Sequence, residues 1–165
     1  MQAARIPVDV IMERVPLHHR WASERWQPAA IVPVDASFAT RPASERLEDD
    51  GERARWRCGG CEIELYPSEA EGYYMNLTAP DPKVFVMWRM FEQGEPPARP
   101  VIVTVSYHEA ARFMDANEQV EGVALPPSVA GWMRAFIATH YRPEVKRKGR
   151  RHQPAAAQTD GERKP

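Results

Sequence analysis

Cys58-Gly59-Gly60-Cys61 is the one stretch of this chain with reactive-looking chemistry. Two thiols at this spacing can close a strained disulfide or supply half of a zinc site, which makes Cys58 and Cys61 the candidate metal ligands. A structural zinc site takes four ligands, and neither a second CxxC nor a closely spaced His pair follows. A dithiol redox motif should open a helix after a strand, where the helix N-terminus lowers the first thiol's pKa. Here the motif runs into a strand-like segment and its glycines read as turn residues. The spacing therefore predicts a tight loop with incidental thiols.

The second cluster is His18-His19-Arg20-Trp21-Ala22-Ser23-Glu24-Arg25-Trp26. It reads as a small-molecule site or an exposed recognition loop. Adjacent histidines diverge on a helix or a strand, so they seldom share one metal. Trp and Arg are enriched in binding hot spots, which makes Trp21, Arg25 and Trp26 the interaction candidates. Core packing is an equally good expectation for the tryptophans. His108 falls in the first turn of a helix, and His140 at the end of an apolar helical stripe. Glu62 with Glu64, and Glu69 with Glu71, are spaced to project side by side, but acid–base work needs a cleft and a partner, and they read as solvated. Phosphate-binding glycine loops and the nucleophile elbow are absent. No catalytic residue and no cofactor is expected.

The elements that must carry these residues start with alternating apolar positions at Ile6–Met12, a strand. Ala29–Asp35 reads as a second strand, with Pro33 marking an edge or a bulge. Residues 37–55 turn to Arg, Glu, Asp, Ser and Pro, which predicts a long polar loop. Cys61–Tyr66 is a strand with Cys61, Ile63 and Leu65 inward. Ala70–Phe91 then reads as two strands joined by a turn at Ala79-Pro80-Asp81-Pro82. The second of them, from Val84, is apolar on both faces and belongs at the centre of a sheet. Pro100–Val105 is the sixth strand.

The period then changes. Ser106 and Glu109 fit a capping box, and Asn117 a helix stop. Pro126-Pro127-Ser128 opens a last helix with Val129, Trp132, Met133, Phe136, Ile137 and His140 on one stripe. Strands first and helices last predict an α+β domain over residues 1–143, with about six antiparallel strands and two C-terminal helices packed on one face. Residues 144–165, basic and then Ala/Gln-rich, read as a disordered tail.

A chain of 165 residues suits a single domain. No apolar run reaches about 18 residues, so no membrane-spanning helix is expected. The N-terminus lacks the pattern of a signal peptide, and a cytoplasmic location is expected. From Arg142 onward there are eight basic and three acidic residues, a net of +5, whereas the rest holds 14 against 20, a net of −6. The tail attracts phosphate but has no aromatic residue to stack on bases, so nucleic-acid binding is not expected.

Four segments, VIMERVPLHHRWASERWQP, EIELYPSEAEGYYMNLTAPDPKVFVMWRM, VTVSYHEAARFMDANEQVEGVALPPSVAGWM and HYRPEVKRK, together resemble one bacterial family, a domain of unknown function. The resemblance covers about residues 8–148. Its genes often sit beside those for molybdenum-dependent formate dehydrogenase, and some members are labelled molybdopterin-guanine dinucleotide biosynthesis protein A. That nucleotidyltransferase opens with a Gly-rich loop, whereas this chain begins with a strand followed by Pro16 and His18-His19. In the family, positions 58 and 61 are more often filled without cysteine, and it brings no catalytic residues to carry over. The resemblance implies a non-enzymatic accessory protein for assembly or regulation of a formate dehydrogenase system. Its partner would be the dehydrogenase or another maturation factor. The alternatives are a cofactor-handling, redox or metal protein using Cys58 and Cys61, including one in molybdenum cofactor biosynthesis, and a ligand-sensing domain with a tail that touches nucleic acid.

Overall fold

The computed structural model describes residues 3–18, 20–34 and 43–143. Its first sheet is built from Ala4–Pro16 (β1), Glu24–Pro33 (β2), Ser44–Asp49 (β3) and Ala54–Leu65 (β4), in the order β2-β1-β4-β3 and antiparallel throughout. Val8, Val10 and Met12 point from β1 into the core. On the opposite face of the strand, Arg5 and Glu13 meet opposite charges across the strands: Arg5 lies opposite Glu64, and Glu13 opposite Arg55. Such cross-strand pairs are what an exposed sheet face uses in place of burial.

The second sheet consists of Lys83–Met90 (β5), Ala98–Thr104 (β6) and Gln119–Ala124 (β7), in the order β6-β5-β7. Val84 to Trp88 are buried without interruption, so the central, two-sided strand expected there is present. Val84, Val86 and Trp88 join Val8, Val10, Met12, Ile63 and Leu65 in one core cluster. On the other face, the Phe85 ring meets Tyr107 edge-on at 5.1 Å.

Among the described residues, three α-helices complete the fold: Ala70–Leu77 (α1), Tyr107–Asp115 (α2) and Pro127–His140 (α3). The α+β class is as expected, but the arrangement differs from one sheet of six strands. Among the described residues there are seven strands in two sheets. α2 lies against the outer face of β5, whereas α3 sends Val129, Met133, Phe136 and Ile137 into the shared core.

Ala70–Leu77 is a helix and not the expected strand. A 3-10 turn at Pro67–Glu69 leads into it, and Ala70, Tyr73 and Asn76, three residues apart, are buried together with Gly72. The Ala79–Pro82 turn therefore links a helix to a strand. The expected polar loop is also corrected. Residues 35–42 lie outside the described residues, but 44–49 form β3 and β4 has begun by Ala54. Charge pairing holds β3 in place of apolar burial: Glu45 faces Arg57, and Arg14 donates to Asp49 at 3.1 Å. The β3–β4 turn is built from Asp50, whose carboxylate accepts the backbone N–H groups of Glu52 and Arg53 at 2.9 and 2.7 Å. Those bonds hold its carboxyl below its usual pKa.

Ser106 caps α2 by accepting the Glu109 N–H at 3.2 Å. The reciprocal half of the box is relayed: Thr104 takes the Ser106 N–H through its hydroxyl oxygen, and that hydroxyl donates to Glu109 at 3.2 Å. Asn117 sits at φ 62° just past the helix, the left-handed conformation of a helix stop. The tail at 144–165 lies outside the described residues.

Candidate functional site

Cys58-Gly59-Gly60-Cys61 is not a turn but a bulge inside β4. Cys58 lies opposite Val10 and Cys61 opposite Val8, so two β4 residues, Gly59 and Gly60, answer the single Asp9. Gly60 supplies φ 84°, which a residue with a Cβ rarely adopts. The extra residue changes the parity of the strand. Residues three apart normally face opposite ways, but here both thiols share the face of Val8 and Val10. Both are free thiols, Cys58 buried and Cys61 half-buried. Burial pushes each up to about 11, with the other thiol and Asp9 adding to the effect at Cys58 and Asp9 at Cys61. Both thiols are therefore harder to ionise than a free cysteine. On the opposite face, buried Asp9 accepts from Arg57 at 2.8 Å, and Arg57 also donates to Glu45 at 2.9 Å.

The interaction candidates separate. Leu17 N–H donates to Ser23 carbonyl at 3.0 Å and closes the tip of the β1–β2 hairpin. Trp21, within that tip, is 84 % exposed. Arg25 is in β2 and reaches across to Glu121 of β7 at 3.0 Å. Trp26 does not belong to an exposed loop: it is in β2, buried in the core cluster, with the Arg14 guanidinium 6.0 Å from its ring centre. The sequence offered no signal to separate the two tryptophans, because the strand start at Glu24 was hidden by polar residues.

His18 and His108 are exposed, and His140 lies against Phe136 with ring centres 4.3 Å apart. His19 falls outside the described residues. His140, Ser68 and Glu71 line an open hollow of about 630 Å³. Among the described residues, no three His, Cys, Asp or Glu side chains are placed to hold a metal ion. No helix among them is long and apolar enough to cross a membrane.

The concave feature that sequence reading missed lies between β4 and β6, an open groove of about 400 Å³. Its β4 wall carries Cys61, Glu62 and Glu64, and its β6 wall runs from Val101 to Thr104. Glu109 of α2 also lines it. Among the described residues, pairing of β3 with β4 runs to Ser44 and Cys58, with one further bond from the Gly59 N–H to the Ala43 carbonyl at 2.8 Å, and β6 is the last strand of its sheet. Both walls thus present strand edges that pair with no other strand among the described residues. Glu62 and Glu64 supplied the only hint of the groove, and its other wall is forty residues away in sequence.

A family model described as a protein of unknown function, DUF3305, matches residues 7–150. The chain belongs to the DUF3305 family. No curated protein and no solved structure matches it. The DUF3305 match takes in the hairpin tip, the cysteine bulge and both walls of the groove.

Proposed function

We propose that this DUF3305 protein is a non-enzymatic accessory protein that binds a protein partner in the assembly or regulation of a molybdenum-dependent formate dehydrogenase system. The observation that carries the binding part is Trp21, held 84 % exposed at the tip of a hydrogen-bonded hairpin. A large aromatic ring kept in water contributes little to the fold, and it is the side chain most enriched in binding hot spots. The formate dehydrogenase part is supported by the family resemblance of the four segments quoted above. The test is a deletion strain complemented with the wild-type or the Trp21→Ala protein. Formate dehydrogenase activity falls on deletion, returns with the wild type, and stays low with Trp21→Ala at equal protein level. Undiminished activity in the deletion strain removes the proposal.

A cofactor-handling or redox role for Cys58 and Cys61 is favoured by one observation, the bulge that turns both thiols to the same face. Against it stands their burial, which raises both thiols and lowers the thiolate fraction that redox or metal chemistry uses. The sensing alternative rests on the basic tail, outside the described residues.

A further inference from the structure

We propose that the groove between β4 and β6 receives a short, extended, basic segment of a partner protein. This deepens the partner-binding reading by naming the chemistry of what is bound, and it concerns a surface other than the Trp21 tip.

Three features point to that occupant. The first is backbone. Among the described residues, β6 pairs as a strand only with β5, and Gly60–Leu65 of β4 only with β1. Edge N–H and C=O groups along a groove are the template for strand addition. The second is charge. Glu62 and Glu64 on one wall and Glu109 beside the other put three carboxylates around the groove, Glu64 paired with Arg5 and Glu109 accepting from Thr104, on a body of net charge −6 outside the basic C-terminal stretch. Phosphate and a second copy of this acidic body are both disfavoured there, and Lys or Arg side chains are favoured. The third is the apolar part of the wall: Val101 is 37 % exposed and Ile102 half-buried. A strand with alternating basic and apolar residues would meet both.

The same wall sets the length. Pro100 has no N–H, and Val101 is the extra residue of a bulge against β5, so regular pairing is confined to Ile102–Thr104. The bound segment is therefore short, about three residues in register. A site of this size gives modest affinity and a strong dependence on salt.

The probe is a fluorescein-labelled peptide, Arg-Val-Lys-Val-Arg-Thr-Lys, titrated against the full chain by anisotropy. Binding is saturable and weakens about tenfold between about 50 and 300 mM salt. Glu62→Lys, at an exposed position, weakens it by a similar factor at an unchanged melting temperature. N-methylation of alternate peptide nitrogens abolishes it, because the backbone bonds are lost. The bound peptide slows amide hydrogen exchange at Gly60–Leu65 and Ile102–Thr104, read by mass, which locates it in the groove without any variant. Absence of saturable binding, full affinity in Glu62→Lys, or unchanged exchange along both walls overturns the proposal. A full-length variant with Lys146, Arg147, Lys148, Arg150 and Arg151 changed to Ser binds the peptide unchanged if the occupant is a partner. Tightening of fivefold or more assigns the groove to the chain's own basic stretch instead. A Trp21→Ala protein that keeps peptide affinity but fails to restore formate dehydrogenase activity separates this groove from the hairpin tip.

Discussion

The side-chain amide of Asn76, fully buried, donates to the Val105 carbonyl at 2.9 Å. The same amide nitrogen donates to the Lys83 carbonyl at 2.7 Å, and its oxygen accepts the Lys83 N–H at 3.0 Å. One side chain on α1 thus satisfies the entry of β5 and the residue just after β6. This requires α1 to be a helix, since Asn76 must share a face with Ala70 and Tyr73, which point into the core.

Replacing Asn76 by Ala leaves the Lys83 N–H, the Lys83 carbonyl and the Val105 carbonyl short of a partner. Each buried orphan costs about 1–3 kcal/mol, so the variant should lose about 3 kcal/mol or more of unfolding free energy in urea. A loss below about 1 kcal/mol would show that water replaces the amide without penalty.

Legibility in the sequence followed the strength of local apolar pattern. Val84–Trp88 announced a central strand because five adjacent apolar residues have few other places to go, and Ser106 announced a helix by its cap. Tyr73-Tyr74-Met75-Asn76-Leu77 misled, because alternation of bulky residues suits a strand as well as a helix. Pro67, two residues ahead of Glu69, was the available signal for a helical start. β3 and β7 were hidden, since Ser44–Asp49 is held by ion pairs and Gln119–Ala124 by pairing with β5, and neither shows in hydropathy. The groove could not be read at all, because it exists only where two strands distant in sequence run side by side.

The two tryptophans at the β1–β2 hairpin should behave as opposites. Trp26→Ala empties a core site and should cost about 3–5 kcal/mol. Trp21→Ala should leave the melting temperature within about 1 °C of the wild type, because its ring is exposed. Arg25→Glu breaks an exposed pair with Glu121 and should cost about 1 kcal/mol or less. Equal destabilisation by the two tryptophan variants would mean that the hairpin tip folds back onto the body.

Gly60 is held at φ 84°, and a Cβ built there meets no atom within 4 Å. The penalty of Gly60→Ala is therefore that of the backbone alone, about 1–2 kcal/mol. Gly72→Ala is the contrasting case. Its φ is helical, but the new Cβ would stand 2.8 Å from Ser106 Oγ, the cap of α2. Thermal melts should show both variants destabilised, whereas the addition of Ser106→Ala should relieve only the Gly72 variant.

The two thiols make stability depend on alkaline pH. Burial lifts Cys58 and Cys61 from the ordinary value of 9.0 to about 11 in the folded chain. An acid whose folded pKa is raised holds its proton more tightly when folded, so the unfolded chain releases protons first as pH rises. The stabilisation due to this shift is complete below pH 9.0 and is lost as pH climbs through about 11. Urea unfolding between these limits should show a falling free energy for the wild type and a shallower fall for the Cys58→Ser/Cys61→Ser double variant. Tyr73, which burial pushes up to about 12, titrates in both proteins and cancels in the difference. The double variant should still fold and restore formate dehydrogenase activity in the deletion strain. Identical alkaline slopes in the two proteins would show that the thiols are reached by water in the folded state. Loss of complementation by a folded double variant would move the cysteine pair from structure to function.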